Sequence, residues 1–150
     1  MEPDRTIQIR TVLRQIRSSL VEVFVALAKT LFFWIPGEDS AKGKALMTCH
    51  PIFIGLVIAC FFLLPAKSPL RFLILVLGIC TVASQWLLGG CVITRAEQQL
   101  TGNKDTIVDP FLRLAGVDVN RDTRLVATLS SGTSICILMI WSYLCSKSSM

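Results

Sequence analysis

Apolar residues along this chain fall into three long runs, and each run predicts a membrane-spanning helix. The runs cover residues 48–65, 70–94 and 125–145, and the second is the longest and contains no acidic residue. The first run is short if its helix starts at Pro51. We therefore expect that helix to begin near Leu46, with the proline in an early turn, or to cross the membrane obliquely.

The N-terminal residues 6–35 follow a helical pattern with two different faces. Apolar residues recur every three to four positions on one face, while Arg10, Arg14 and Arg17 lie on the other. This pattern predicts a basic amphipathic helix whose three arginines bind the membrane surface. The alternative is that the helix is a fourth transmembrane span.

The distribution of lysine and arginine predicts the orientation of the chain. Seven of them precede residue 48 and five fall in residues 95–124, whereas the 65–71 turn has two and the C-terminal tail has one. Basic flanks favour the cytosolic side. With three spans, the N-terminal region and the 95–124 loop both lie on that side. An anionic leaflet of the lipid bilayer is then the predicted partner of the basic residues.

The composition supports an all-α integral membrane helical bundle that forms a single membrane domain over residues 1–150. Apolar residues make up 53% and charged residues 17%, where soluble domains have about 25% charged. Mean hydropathy is +0.63. Several of the six cysteines lie inside apolar runs, which favours free thiols over disulfides. The net charge of +5 resides in the membrane flanks, so nucleic acid is not an expected partner.

Small residues mark two sites of close helix packing. Thr128, Gly132 and Cys136 recur every four residues, a spacing that lets two helix backbones approach each other. Gly89 and Gly90 are expected to do the same near the membrane edge. The 95–124 loop that follows them is predicted to contain short helices.

Cys91, Thr94 and Glu97 are three residues apart, so they share one face of a helix. We interpret them as a structural motif in which Glu97 holds the loop through a basic side chain. The candidate partners are Arg113, Arg121 and Arg124.

Two chemical alternatives to this interpretation involve His50, which the hairpin topology places near the same membrane face. Together with Cys49, Cys91 and Glu97 it offers zinc-ligand types, and with a thiol it resembles a Cys–His pair. The spacing fits no metal template, and the sequence identifies no third, orienting group. We therefore predict no metal, no cofactor and no catalytic residue, and expect His50 to cap a helix that starts at Pro51.

The segment from Cys91 to Glu97 resembles a motif in two groups of small uncharacterised membrane proteins. One is a bacterial family with Cys-Pro-Leu-Thr-x-x-Glu at a helix end, and the other comprises short multi-span proteins of large DNA viruses. Cys91, Thr94 and Glu97 match, Ile93 is conservative, and Val92 departs from the proline. The later Asp-Pro-Phe-Leu sequence at 109–112 is also similar to the loop in these families. The resemblance implies a multi-span bundle and no particular activity.

These observations predict a non-enzymatic, multi-pass structural or assembly protein. A component of a virion internal membrane and an accessory subunit of a large membrane complex are both consistent with it. Its partners would then be other membrane or capsid-type proteins, or a second copy of the chain. The first alternative is a small oligomeric ion channel lined by hydroxyl residues such as Ser131 and Thr133. The second is a membrane thiol or metal enzyme.

Overall fold

The computed structural model describes residues 3–148, and every regular element in this range is a helix. The predicted all-α class is therefore confirmed for the described residues. In chain order the helices are α1 (Pro3–Leu31), α2 (Asp39–Leu63), α3 (Pro69–Leu88), α4 (Val92–Thr101), α5 (Asp109–Leu114) and α6 (Arg121–Ser148).

Three of the described helices, α2, α3 and α6, are long and apolar enough to cross a membrane. Their number agrees with the three predicted spans. In the most apolar stretch of each of these helices, only 6–11% of the residues are buried inside the protein. Side chains of this kind need an apolar surrounding, which a bilayer supplies.

The first span begins much earlier than expected, because α2 starts at Asp39 and Pro51 lies inside it. The expectation that His50 caps a helix starting at Pro51 is therefore wrong. The polar segment before the proline is helical because it packs against α4. A Cβ atom on Gly43 would come within 2.7 Å of Thr101 and 2.8 Å of Leu100. Only glycine permits so close an approach.

The second span ends earlier than expected, at Leu88 instead of Thr94. Gly89 and Gly90 both have positive φ, at +67° and +121°. Their backbone amides donate hydrogen bonds to the Gln85 carbonyl and close the end of α3. Most residues adopt positive φ only at a cost, so the two glycines let the chain turn. Cys91 follows as the cap of the separate helix α4.

The long apolar helices α3 and α6 pack side by side. A small buried cluster of Phe61, Leu75 and Met139 joins them to α2. Further along, a Cβ on Gly132 would lie 3.4 Å from the Gln85 side chain and 3.6 Å from Val82. The stripe that Gly132 shares with Thr128 and Cys136 therefore faces α3 of the same chain.

Arg71 is a buried cation that the sequence analysis did not single out. It lies in the first turn of α3 and is 5% exposed. Its Nη2 donates to the Ser142 hydroxyl at 2.9 Å, and the guanidinium stacks 4.8 Å from the centre of the Phe61 ring. These contacts offset part of the loss of water around the charge, while the Nε of Arg71 is buried without a hydrogen-bond partner.

The amphipathic helix α1 packs against α4, α2 and α3 through a narrow side that includes the buried Val21 and Ala28. The apolar stripe identified in the sequence lies elsewhere. Ile9, Val12 and Val23 are all more than half exposed. Because this apolar stripe does not pack against the other helices, it is free to contact another apolar environment.

Candidate functional site

A thiol, an imidazole and a carboxylate meet where α2 crosses the start of α4. The Sγ of Cys91 lies 3.9 Å from His50 Nε2, and His50 Nδ1 lies 2.8 Å from Glu97 Oε1. An ionised carboxylate only accepts hydrogen bonds, so Nδ1 carries the proton that binds Glu97. That arrangement directs Nε2 toward the Cys91 sulfur, so the thiol and the ring can share a proton.

The fold brings these three groups together from two distant segments. Helix α4 presents Glu97 on its buried side, and α2 supplies His50 across the contact that Gly43 permits. The turn at Gly89 and Gly90 places Cys91 immediately before the first residue of α4. The thiol thus sits at the N-terminus of a helix, where backbone amides point toward it.

The surroundings of Cys91 favour its thiolate form. Burial is the largest single influence and raises the pKa of the thiol, but the hydrogen bonds with His50 and Thr94 and the charge of His50 together outweigh burial, so the net pKa lies below the ordinary value of 9.0. Thr94 contributes through its amide and hydroxyl, although the amide falls short of standard capping geometry. A partly exposed cysteine beside a histidine and a helix N-terminus has the environment of a reactive thiol.

The same geometry argues against a chelate of these three residues. Cys91 and Glu97 contact opposite nitrogens of the His50 ring, so they do not converge on a common point. Across the described part of the chain, no group of three potential metal ligands is close enough to hold an ion. The arrangement instead matches a nucleophile, a base and an orienting carboxylate in a row.

A cavity of about 390 Å³ opens beside the thiol. Its lining includes Cys91 and four basic side chains, those of Arg95, Lys104, Arg121 and Arg124. No acidic residue contributes to this lining. The reacting atom of a substrate therefore has room next to Cys91, and an anionic substrate is electrostatically favoured there.

One wall of this cavity is fixed by a buried carboxylate, Asp109. Arg124 donates two hydrogen bonds to it at 2.7 and 2.6 Å, and Thr106 donates two more from its hydroxyl and backbone amide. Burial raises the pKa of Asp109, but these bonds outweigh burial and hold it below the usual 3.8. We call Asp109, Arg124 and Thr106 the loop clamp, because they tie the start of α5 to the start of α6.

The structure corrects the predicted role of Glu97. Its partner is His50, whereas Arg124, one of the three expected partners, binds Asp109 instead. Arg113 and Arg124 come within 4 Å of Asp105, an exposed carboxylate of the loop. The loop is therefore held by aspartates, and Glu97 is available to the thiol site.

The remaining predicted residues lie around this centre or away from it. Arg14 and Arg17 line a second cavity next to α4, and Arg10 is exposed on α1. The hydroxyl of Ser131 donates to the Thr128 carbonyl of its own helix, and Thr133 accepts a hydrogen bond from Trp86. The hydroxyl groups proposed for a channel lining are thus engaged within the bundle.

Sequence reasoning placed His50, Cys91 and Glu97 near one membrane face and considered a Cys–His pair, but it did not identify Glu97 as the third, orienting group. The pairing depends on α2 extending back to Asp39 and crossing α4 at Gly43. The available signal for this helix crossing was Gly43, which lies among small and polar residues just before the first apolar run. Searches against family models, curated proteins and solved structures found no match to this chain.

Proposed function

We propose that this protein is a multi-pass membrane protein with a cysteine-dependent acyl-transfer site at the membrane surface. Cys91 is the nucleophile, His50 is the general base and Glu97 orients the imidazole. The observation that carries the proposal is the continuous contact from Cys91 Sγ through the two nitrogens of His50 to Glu97 Oε1. This proposal departs from the expectation of a non-enzymatic protein, because the sequence did not reveal the orienting carboxylate.

The proposed reaction begins from the pair in which the thiol proton resides on His50 Nε2 and Cys91 is a thiolate. The Cys91 sulfur then attacks the carbonyl carbon of an ester or thioester, forming a thioester with the protein. The bond to the leaving group breaks, and the leaving group takes its proton from the imidazolium. A second nucleophile, water or an acceptor alcohol or amine, releases the acyl group and restores the thiol. Amides of the first turn of α4 have no carbonyl partner in their own helix and suit a developing oxyanion.

The proposed setting is a bilayer crossed by α2, α3 and α6. Helix α1 lies along the surface with its exposed apolar stripe in the lipid, and the N-terminal region and the 95–124 loop face the cytosol. The exposed stripe of α1 and the excess of basic residues on these segments support this orientation. Cys91 then lies at the cytosolic edge of the membrane, where amphiphilic acyl donors are concentrated.

Acylation by an activated ester tests the proposed chemistry. Full-length protein in lipid nanodiscs is mixed with p-nitrophenyl butyrate, and the acylated cysteine is identified by mass spectrometry. Cys49→Ser is the matched control, since Cys49 is an exposed thiol next to His50 in the chain. We expect rapid acylation at Cys91 in wild type and in Cys49→Ser. His50→Gln is expected to slow it by about 100-fold, a typical contribution of a general base. Equal rates for Cys91 and Cys49, or no effect of His50→Gln, would contradict the proposal.

A structural or assembly role is the second candidate, and one observation favours it. His50 and Glu97 are both largely buried and connect α2 to α4, as a pair that only stabilises the fold would do. In that case His50→Gln and Glu97→Gln lower stability, Cys91→Ser changes nothing, and the protein co-purifies with a larger complex in mild detergent. The viral setting and the ion-channel alternative stay predictions of the sequence.

A further inference from the structure

A second cavity, of about 310 Å³, lies between α1 and α4 and is lined by three arginines. Arg14 and Arg17 enter it from α1, and Arg95 enters from α4. The other lining residues are neutral, namely Ser18, Val21, Gln98 and Gln99. The cavity therefore concentrates positive charge and hydrogen-bond donors without an acidic neighbour in its lining.

Two of these arginines are anchored by the end of α3. Arg17 Nη1 donates to the Leu88 carbonyl at 3.1 Å, and Arg95 Nη2 donates to the Gly89 carbonyl at 3.3 Å. Each anchor uses a single donor of a guanidinium that carries several. The remaining N–H groups are held in place and are available to a ligand.

The charges in this cluster are not neutralised by the protein. Among residues 3–148, Arg14, Arg17 and Arg95 form no ion pair within 4 Å, in contrast to Arg124 and its aspartate. Burial lowers the pKa of Arg95, and the nearby charges of Arg17 and Arg121 lower it further. Like charges held close together at the end of a span repel one another unless an anion joins them.

We propose that Arg14, Arg17 and Arg95 form a binding site for the phosphate group of an anionic ligand at the membrane edge. Guanidinium groups bind phosphate oxygens in pairs. The Ser18 hydroxyl can donate to a remaining oxygen, as can the second N–H of the Gln98 amide, whose Nε2 also donates to the Lys104 carbonyl. The chemistry fits both the phosphomonoester of a lipid headgroup and a free phosphate. The site does not depend on the thiol reaction, although Arg95 also lines the cavity at Cys91.

Native mass spectrometry of full-length protein in detergent tests this site by titration with three probes. These are dioleoyl phosphatidic acid, dioleoyl phosphatidylcholine and inorganic phosphate. We expect phosphatidic acid to bind at least about tenfold more tightly than phosphatidylcholine, whose phosphate is a shielded diester. Tight binding of the lipid that is unaffected by millimolar inorganic phosphate identifies a lipid headgroup as the source. Tight binding of inorganic phosphate that displaces the lipid identifies a free phosphate.

Two variants of α1 make the test specific. Arg14→Gln removes a cavity residue that is exposed and makes no contact that the fold needs, so the variant is expected to fold. Arg10→Gln removes the same charge one helical turn away, outside the cavity lining. We expect Arg14→Gln and Arg95→Gln to weaken phosphate binding about tenfold and Arg10→Gln to change it less than threefold. Equal losses for Arg10→Gln and Arg14→Gln would overturn the proposal, because they would indicate general surface charge instead of a site.

Discussion

Replacing Asp109 by alanine tests how the 102–120 loop is held over the cavity at Cys91. The carboxylate is 2% exposed and accepts four hydrogen bonds, two of them from Arg124. Loss of one partner of a buried ion pair costs about 3–5 kcal/mol. Because the Arg124 side chain is still 21% exposed, water can satisfy part of its charge. We therefore expect Asp109→Ala to destabilise the closed loop by about 2–3 kcal/mol relative to the open loop.

This free energy corresponds to an opening equilibrium that rises by about 30- to 150-fold. Hydrogen–deuterium exchange of protein in nanodiscs measures it through the backbone amides of residues 109–117, several of which are hydrogen-bonded in and after α5. Asp105→Ala is the matched control, since Asp105 is half exposed and lies 3.8–3.9 Å from its arginines. We expect less than about a threefold change for it. Similar exchange in the two variants would refute the assignment of the clamp.

Two further predictions concern pH and the contact between α2 and α4. Since the pKa of Asp109 is lowered in the folded protein, the stabilisation it provides is complete above its ordinary value of 3.8 and is lost as pH falls below it. After correction for intrinsic exchange rates, loop protection should be constant from about pH 5 to 8 and fall near pH 3, and a loss centred near pH 6 would contradict this. Gly43→Ala should cost about 1–3 kcal/mol and slow acylation of Cys91, because its Cβ would meet Leu100 and Thr101. Gly55→Ala, which meets nothing within 4 Å, should do neither, and equal melting temperatures for the two variants would exclude the close contact.

The three long apolar helices could be predicted from the sequence because they depend on local composition. Long apolar runs and the proline-bounded turn at 65–69 correctly indicated α2, α3 and α6. The ends of the helices were harder to predict. Gly89 and Gly90 were interpreted as packing residues within a continuous helix, whereas their positive φ angles end α3 and start a separate helix.

The candidate site was only half accessible to sequence reasoning. The spacing of Cys91, Thr94 and Glu97 could be read from the sequence, since the three residues belong to one helix and its N-cap. The role of His50 depends on a contact between helices that are separated by more than 40 residues in the chain, His50 and Glu97 being 47 apart. No local pattern reports such a contact. The sequence also suggested basic partners for Glu97. In the structure Arg124 instead pairs with Asp109, a contact that depends on how the loop folds.

The pH dependence of Cys91 alkylation measures whether His50 activates this thiol. Full-length protein in nanodiscs is alkylated with iodoacetamide between pH 5 and 10, and the rates at Cys91 and Cys49 are followed separately by mass spectrometry. We expect Cys91 to titrate below 9.0 and His50→Gln to move its titration upward. A Cys91 midpoint at or above 9.0, or one that His50→Gln leaves unchanged, would show that His50 does not activate the Cys91 thiol.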